Sequence, residues 1–331
     1  MRMAFGIRPR AALGALCLAL STAACGDETA LSTTLDTVGT QFDVATAQAG
    51  FNVTAVRSFA AMGPRMEVAL AGFGATLRTT GSTASLLPLL AWGKTFVWDV
   101  PSLRYVESAR TGAPSAGARF ILYSVTGASS LPTVPLVEQG YTDITRNQNT
   151  ATVTVVQTGG VTVMSYDLTT GGTPTTPTYI IEGTAGTGAS LTSFDLSVAV
   201  ASATGNLTQT WRTATASRGL ATTVQLAEGP ASTTVGATMR AGVRKMEIGG
   251  TLGSTGAGAL PVKVGGKLYG RVLLSGGTPG TMTITSPLGA PLGAAEATAI
   301  GATYTWFASS YTRLTLFLAP LYTVLDVDPP V

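Results

Sequence analysis

Across residues 93–286 the chain alternates apolar and polar side chains with a period of two. Successive side chains of an extended strand point to opposite faces, so this pattern demands a sheet with one buried face. The clearest stretch is 193–200, where Phe194, Leu196, Val198 and Val200 alternate with Ser193, Asp195, Ser197 and Ala199. The same reading places strands at 95–99, 120–125, 151–157, 161–168, 179–182, 207–215, 222–227, 235–241, 245–248, 262–264, 267–274 and 282–284. Gly159-Gly160, Gly219 and Gly265-Gly266 fall between these runs, where tight hairpin turns need positive φ. The Thr/Pro/Gly stretch 169–177 reads as an exposed loop.

The period is helical on either side of this region. Leu31, Leu35, Val38, Phe42 and Ala45 recur at three- and four-residue spacing, and Val53, Val56, Phe59 and Ala60 do so until Gly63-Pro64 interrupts them. Residues 67–90 are apolar but broken by glycine. After the strands, Ile300, Tyr304, Phe307, Tyr311, Leu314, Leu318 and Leu321 form an amphipathic stripe that Pro320 closes, and 326–331 reads as a tail. A sheet with one apolar face needs a cover. The expected fold is therefore mainly β (α+β): a long antiparallel meander (93–286), as a curved sheet or half-barrel, covered by an N-terminal helical segment (31–92) and a C-terminal amphipathic helix (287–325), with 31–325 as one domain.

Charged residues make up 11% of the chain, below the usual share of about a quarter, while glycine reaches 40 residues. The absence of histidine excludes Ser-His-Asp and Cys-His nucleophiles, histidine-ligated zinc and a histidine pH switch. Arg2, Arg8 and Arg10 precede the apolar run 11–20, and small residues follow. This is the order of a secretory signal, and the run is too short to span a bilayer. Removing residues 1–24 takes three basic and no acidic residues, leaving 17 of each. A neutral mature chain gives no overall electrostatic case for nucleic acid. Cys17 lies in the removed segment, so Cys25 stands alone and no intrachain disulfide forms.

The run Thr22-Ala23-Ala24-Cys25 resembles the lipobox of bacterial lipoprotein precursors. Ala23, Ala24 and Cys25 match; Thr22 stands where that family usually has an aliphatic residue. The resemblance covers the first 25 residues and implies cleavage before Cys25, acylation of its thiol, and a tether at 25–30 leading to the folded domain. It implies an exported, lipid-anchored protein of the bacterial cell envelope. The alternative is an ordinary signal-peptidase site that Cys25 merely follows.

Chemistry-bearing constellations are sparse. Asp99, Glu107, Asp143, Asp167, Glu182, Asp195 and Glu228 are the candidate carboxylates in the β region, and none sits in a recognisable motif. No phosphate-binding glycine motif and no cofactor signature occurs. Trp92, Trp98, Arg104 and Tyr105 read as core and turn residues near the first strand. Arg240, Arg244, Lys245, Lys263, Lys267 and Arg271 oppose Glu247 alone, and Lys267, Tyr269 and Arg271 are placed opposite the apolar side. Such a cluster suits lipid headgroups or an anionic envelope polymer, or serves as a solvated face that discourages edge pairing.

In layout the chain resembles the half-barrel lipoproteins and carriers of the LolA, LolB and LprG/LppX kind, which enclose an acyl-chain cavity. On that resemblance Phe194, Leu196, Trp211, Val224, Leu226, Met239 and Met246 line either a packed core or a lipid cavity. The leading expectation is a non-enzymatic envelope lipoprotein that binds a hydrophobic ligand or an envelope partner. A packed structural or adhesion module is the alternative. An enzyme would need a carboxylate pair in a cleft, and an integral barrel fits poorly with a lipid site and a helical C-terminus.

Overall fold

A computed structural model describes residues 49–74, 89–125, 131–147, 150–173, 175–201, 203–215, 219–276, 281–294, 296–298 and 300. The helical pattern at 31–45, Cys25 and the stripe beyond Ile300 lie outside the described residues.

Helix α1 (Thr54–Gly74) precedes fifteen strands: β1 (Lys94–Asp99), β2 (Arg104–Ser108), β3 (Gly117–Tyr123), β4 (Glu138–Asn147), β5 (Thr150–Gln157), β6 (Val161–Thr173), β7 (Thr176–Ala185), β8 (Thr192–Ala201), β9 (Asn206–Thr215), β10 (Leu220–Glu228), β11 (Ser232–Ala241), β12 (Arg244–Gly253), β13 (Ala257–Val264), β14 (Lys267–Ser275) and β15 (Met282–Thr285). They form one curved sheet that does not close, with β2 and β15 at its edges. From β3 to β15 each strand pairs antiparallel with its sequence neighbour, as the alternation predicts. The meander fails at one end, where β1 pairs parallel with β3 and β2 folds back outside β1.

The structure corrects several expectations. Strands β2 and β4 were not predicted; β4 reads EQGYTDITRN, too polar for the alternation to show. Strands β6 and β7 run through the supposed loop, and only Thr173–Thr176 turns, with Gly172 at φ +80°. Helix α1 passes through Gly63-Pro64. Pro64 is exposed, so its ring sits on the solvent side of the helix, while Val56, Phe59, Met62, Met66 and Leu70 are fully buried along the opposite stripe. Residues 286–291 form a turn and a bridge to β15, with helix only from Ala294.

Helix α1 packs on β2–β6. The Tyr105 hydroxyl donates to the Ile121 carbonyl at 2.8 Å, and burial pushes that phenol well above its ordinary pKa. Aromatic rings extend the core along the inner face: Phe96 stacks on Phe120 at 4.8 Å, and Tyr166 lies between Phe59 (6.5 Å) and Phe194 (6.1 Å). Tyr166 and Phe194 both pair with Gly183. A Cβ on Gly183 would meet Tyr166 Cβ and the Ser165 carbonyl oxygen, each at 2.4 Å. The backbone and Cβ of Tyr166 approach closely because the glycine has no side chain. Gly183→Ala is therefore expected to cost about 1–3 kcal/mol of stability, read as a lower urea midpoint; an unchanged midpoint would contradict this packing.

Candidate functional site

Directly paired residues share a face, so the register traces rows across the sheet. One inner row runs Phe194, Thr213, Thr222, Met239, Met246, Val264 from β8 to β13. The next runs Leu196, Trp211, Val224, Ala237, Ile248, Val262. A third carries Val198, Gln209, Leu226 and Val235. All seven residues expected to line a core or cavity thus lie on the inner face. Phe194, Leu196, Trp211, Val224, Met239 and Met246 are buried, and Leu226 is half-buried.

This face is apolar through its middle and polar at one end. Leu220, Ala241 and Arg244 form a row across β10–β12, which Thr215 continues at the end of β9. The Oγ1 atoms of Thr215 and Thr222 and Nη1 of Arg244 are buried without a hydrogen-bond partner. Farther along, Glu296 accepts from the Tyr269 hydroxyl and from the Gly293 N–H at 3.0 Å, fixing the first turn of the helix at Ala294 against β14. Ile300 on that helix is fully buried with Met246, Val262 and Val272. Periodicity alone singled out neither the threonines nor Glu296, because their roles depend on which strands become neighbours.

The six-cation cluster divides between the faces. Arg240 pairs with Lys245, Glu247 with Lys263, and Pro261 with Arg271, all on the outer face. Lys245 also bonds Glu247. Arg244 stands on the inner face beside Ala241, and Lys267 opposite the buried Val264. Tyr269 is corrected as well: the register shifts between Val262/Lys263 so that Tyr269 is the bulged residue of β14, and it is buried at 7% exposure instead of facing out.

The carboxylates are mostly committed. Asp99 accepts from the Ser102 hydroxyl and N–H, which together hold its carboxyl below the ordinary range. Glu107 pairs with Lys94 at 2.6 Å, and Asp143 holds Arg119 bidentately at 2.7 and 2.8 Å while Arg119 lies over Tyr141. On the outer face Asp167, Glu182 and Asp195 stand directly opposite one another across β6, β7 and β8. Thr152 donates to Asp167 at 2.6 Å and Arg212 reaches Asp195 at 3.0 Å. Among the described residues no group of three His, Cys, Asp or Glu is placed to hold a metal ion. The row lies open on the sheet surface and lacks the walls that would exclude water from an acid/base pair.

No protein-family model, curated protein or solved structure matches the chain.

Like charges directly opposite on adjacent strands destabilise a sheet. Glu182→Gln is expected to raise the unfolding free energy by about 0.2–1 kcal/mol at low ionic strength, with most of the gain gone in 1 M salt, where the Debye length falls to ~3 Å. Urea unfolding at the two salt concentrations checks it; an equal gain in both would assign the change to something other than the carboxylate row.

Proposed function

We propose that this protein is a non-enzymatic bacterial envelope lipoprotein, tethered through Cys25, whose sheet offers its apolar inner face to a hydrophobic ligand. The extent of that face carries the reading. Helix α1 packs on β2–β6, yet the apolar rows continue to β13. At the usual strand spacing β7–β13 covers roughly 29 Å, close to the thickness of ~30 Å that two opposed acyl leaflets fill, so one acyl chain fits along it. The lipobox-like residues support the tether, and the absence of histidine from the sequence, with the Asp167–Glu182–Asp195 row open on the outer face among the described residues, supports a binding role over catalysis.

Magnitudes favour a long ligand. Burying an acyl chain gains about 0.8 kcal/mol per CH₂. Association costs on the order of 4–15 kcal/mol, so only a chain of a dozen or more carbons binds usefully on tail contacts alone. A packed scaffold or adhesion module is the second reading. The low exposure of Trp211, Val224 and Met239, each 3%, and of Met246, 1%, favours it.

Native and denaturing mass spectra of the full chain carrying Cys25→Ser, purified gently from a bacterial host, separate the two. The expected result is adducts of lipid mass that vanish on denaturation. A bare protein mass, with no uptake of added fatty acid or phospholipid, would overturn the ligand reading in favour of the scaffold.

A further inference from the structure

Two neighbouring hairpins bring cations and exposed apolar side chains to one end of the sheet. Gly242-Val243 joins β11 to β12 above the Ala241–Arg244 pair, and Gly265-Gly266 joins β13 to β14 above the Val264–Lys267 pair. The Gly265 N–H donates to the Lys245 carbonyl at 2.9 Å, so the two turns lie side by side. Arg240 and Lys245 face each other one pair below the first turn, and Lys263 stands one pair below the second, opposite Leu268. Glu247 is the sole acidic residue between 229 and 295, and it bonds Lys245. Arg240, Lys263 and Lys267 are exposed, and among the described residues no carboxylate forms an ion pair with them. Val243 is fully exposed and Leu268 is 43% exposed.

The fold itself gives these residues no task. Strands β11–β13 are paired on both sides, so their cations guard no edge. Arg240 directly opposite Lys245 is a like-charge pair that costs stability. Val243 occupies a two-residue turn, where Gly, Asn or Asp is the usual choice, and buries nothing there. The Arg240–Lys245 pair lies about two residues, or roughly 7 Å, below the tip, inside the Debye length of about 8 Å at physiological ionic strength. A charged surface that Val243 touches therefore feels both cations. The acids that would repel an anionic surface, Asp167, Glu182 and Asp195, lie on β6–β8, at least three strand spacings or roughly 14 Å from β11.

We infer that this hairpin end docks on an anionic bilayer surface. Val243 enters the headgroup layer with Leu268 beside it, and Arg240, Lys245, Lys263 and Lys267 meet the lipid phosphates. With Cys25 as a tether, this second contact sets which end of the sheet faces the membrane. The inference goes beyond the hydrophobic-ligand reading and does not rest on it.

Co-sedimentation with vesicles tests it, using the mature chain 25–331 with Cys25→Ser, which removes the tether and leaves no cysteine. The expected result is binding to phosphatidylglycerol vesicles that phosphatidylcholine vesicles do not reproduce, lost in 1 M salt, where the Debye length falls to ~3 Å. Each cation near an anionic surface strengthens binding about fivefold, so Arg240→Gln combined with Lys263→Gln is expected to weaken it about 25-fold. Arg65→Gln, which removes an exposed cation from α1, is expected to change nothing. Val243→Cys, labelled with an environment-sensitive dye, reads the contact without altering any charge: its emission is expected to shift to the blue on phosphatidylglycerol vesicles. Equal binding to both lipids, no binding to either, or R65Q weakening binding as much as the double variant would overturn the inference. So would a dye whose emission stays fixed while the protein sediments with the vesicles. Each of these failures leaves the hydrophobic-ligand reading standing.

Discussion

The structure depends on burying one face of a fifteen-stranded sheet that never closes on itself. An antiparallel meander can leave one face in water, but the apolar face must be covered along its whole width. Helix α1 covers one half, and its fully buried Phe59, Met62, Met66 and Leu70 show how tightly. Leu292 and, on the helix that begins at Ala294, Ile300 pack onto the β10–β14 end of the face, with Glu296 bonded to Tyr269. The open edges are kept short: β2 has five residues and β15 four, and β2 carries Arg104 and Glu107. Short, charged edges limit pairing with another chain.

The two faces follow different electrostatic rules. On the outer face water screens like charges, so the Asp167–Glu182–Asp195 row and the Arg240–Lys245 pair are tolerated at a modest cost. On the inner face Arg244 Nη1 is buried without a hydrogen-bond acceptor, and an unmet buried donor costs more than an exposed repulsion. That contrast separates one inner cation from the four outer ones, although all were equally conspicuous along the chain.

Much of this was legible before the fold was known. Alternation located thirteen of the strands, because a half-buried strand writes its two faces into neighbouring residues. The glycine pairs 159–160 and 265–266 marked turns, and all four glycines have positive φ. The polar β4 left no such mark, and β2, five residues just after β1, had only Tyr105 to show for itself. Pro64 misled because a proline's effect on a helix depends on which side faces water. Tyr269 misled because one bulged residue reverses the alternation. The seven inner residues were readable from period alone. Separating Arg244 and Lys267 from Arg240, Lys245, Lys263 and Arg271 required the register, which the hairpin turns set and the composition does not reveal.

The account stands on the inner face of β9–β12 being the surface that meets a ligand. The most direct measurement is photo-crosslinking of the full chain with a palmitate analogue bearing a diazirine on its tail, followed by peptide mapping. The account predicts adducts on inward residues such as Val224, Met239 and Met246, displaced by excess palmitate. Adducts confined to outward residues of the same strands, such as Thr223 or Thr238, would contradict it.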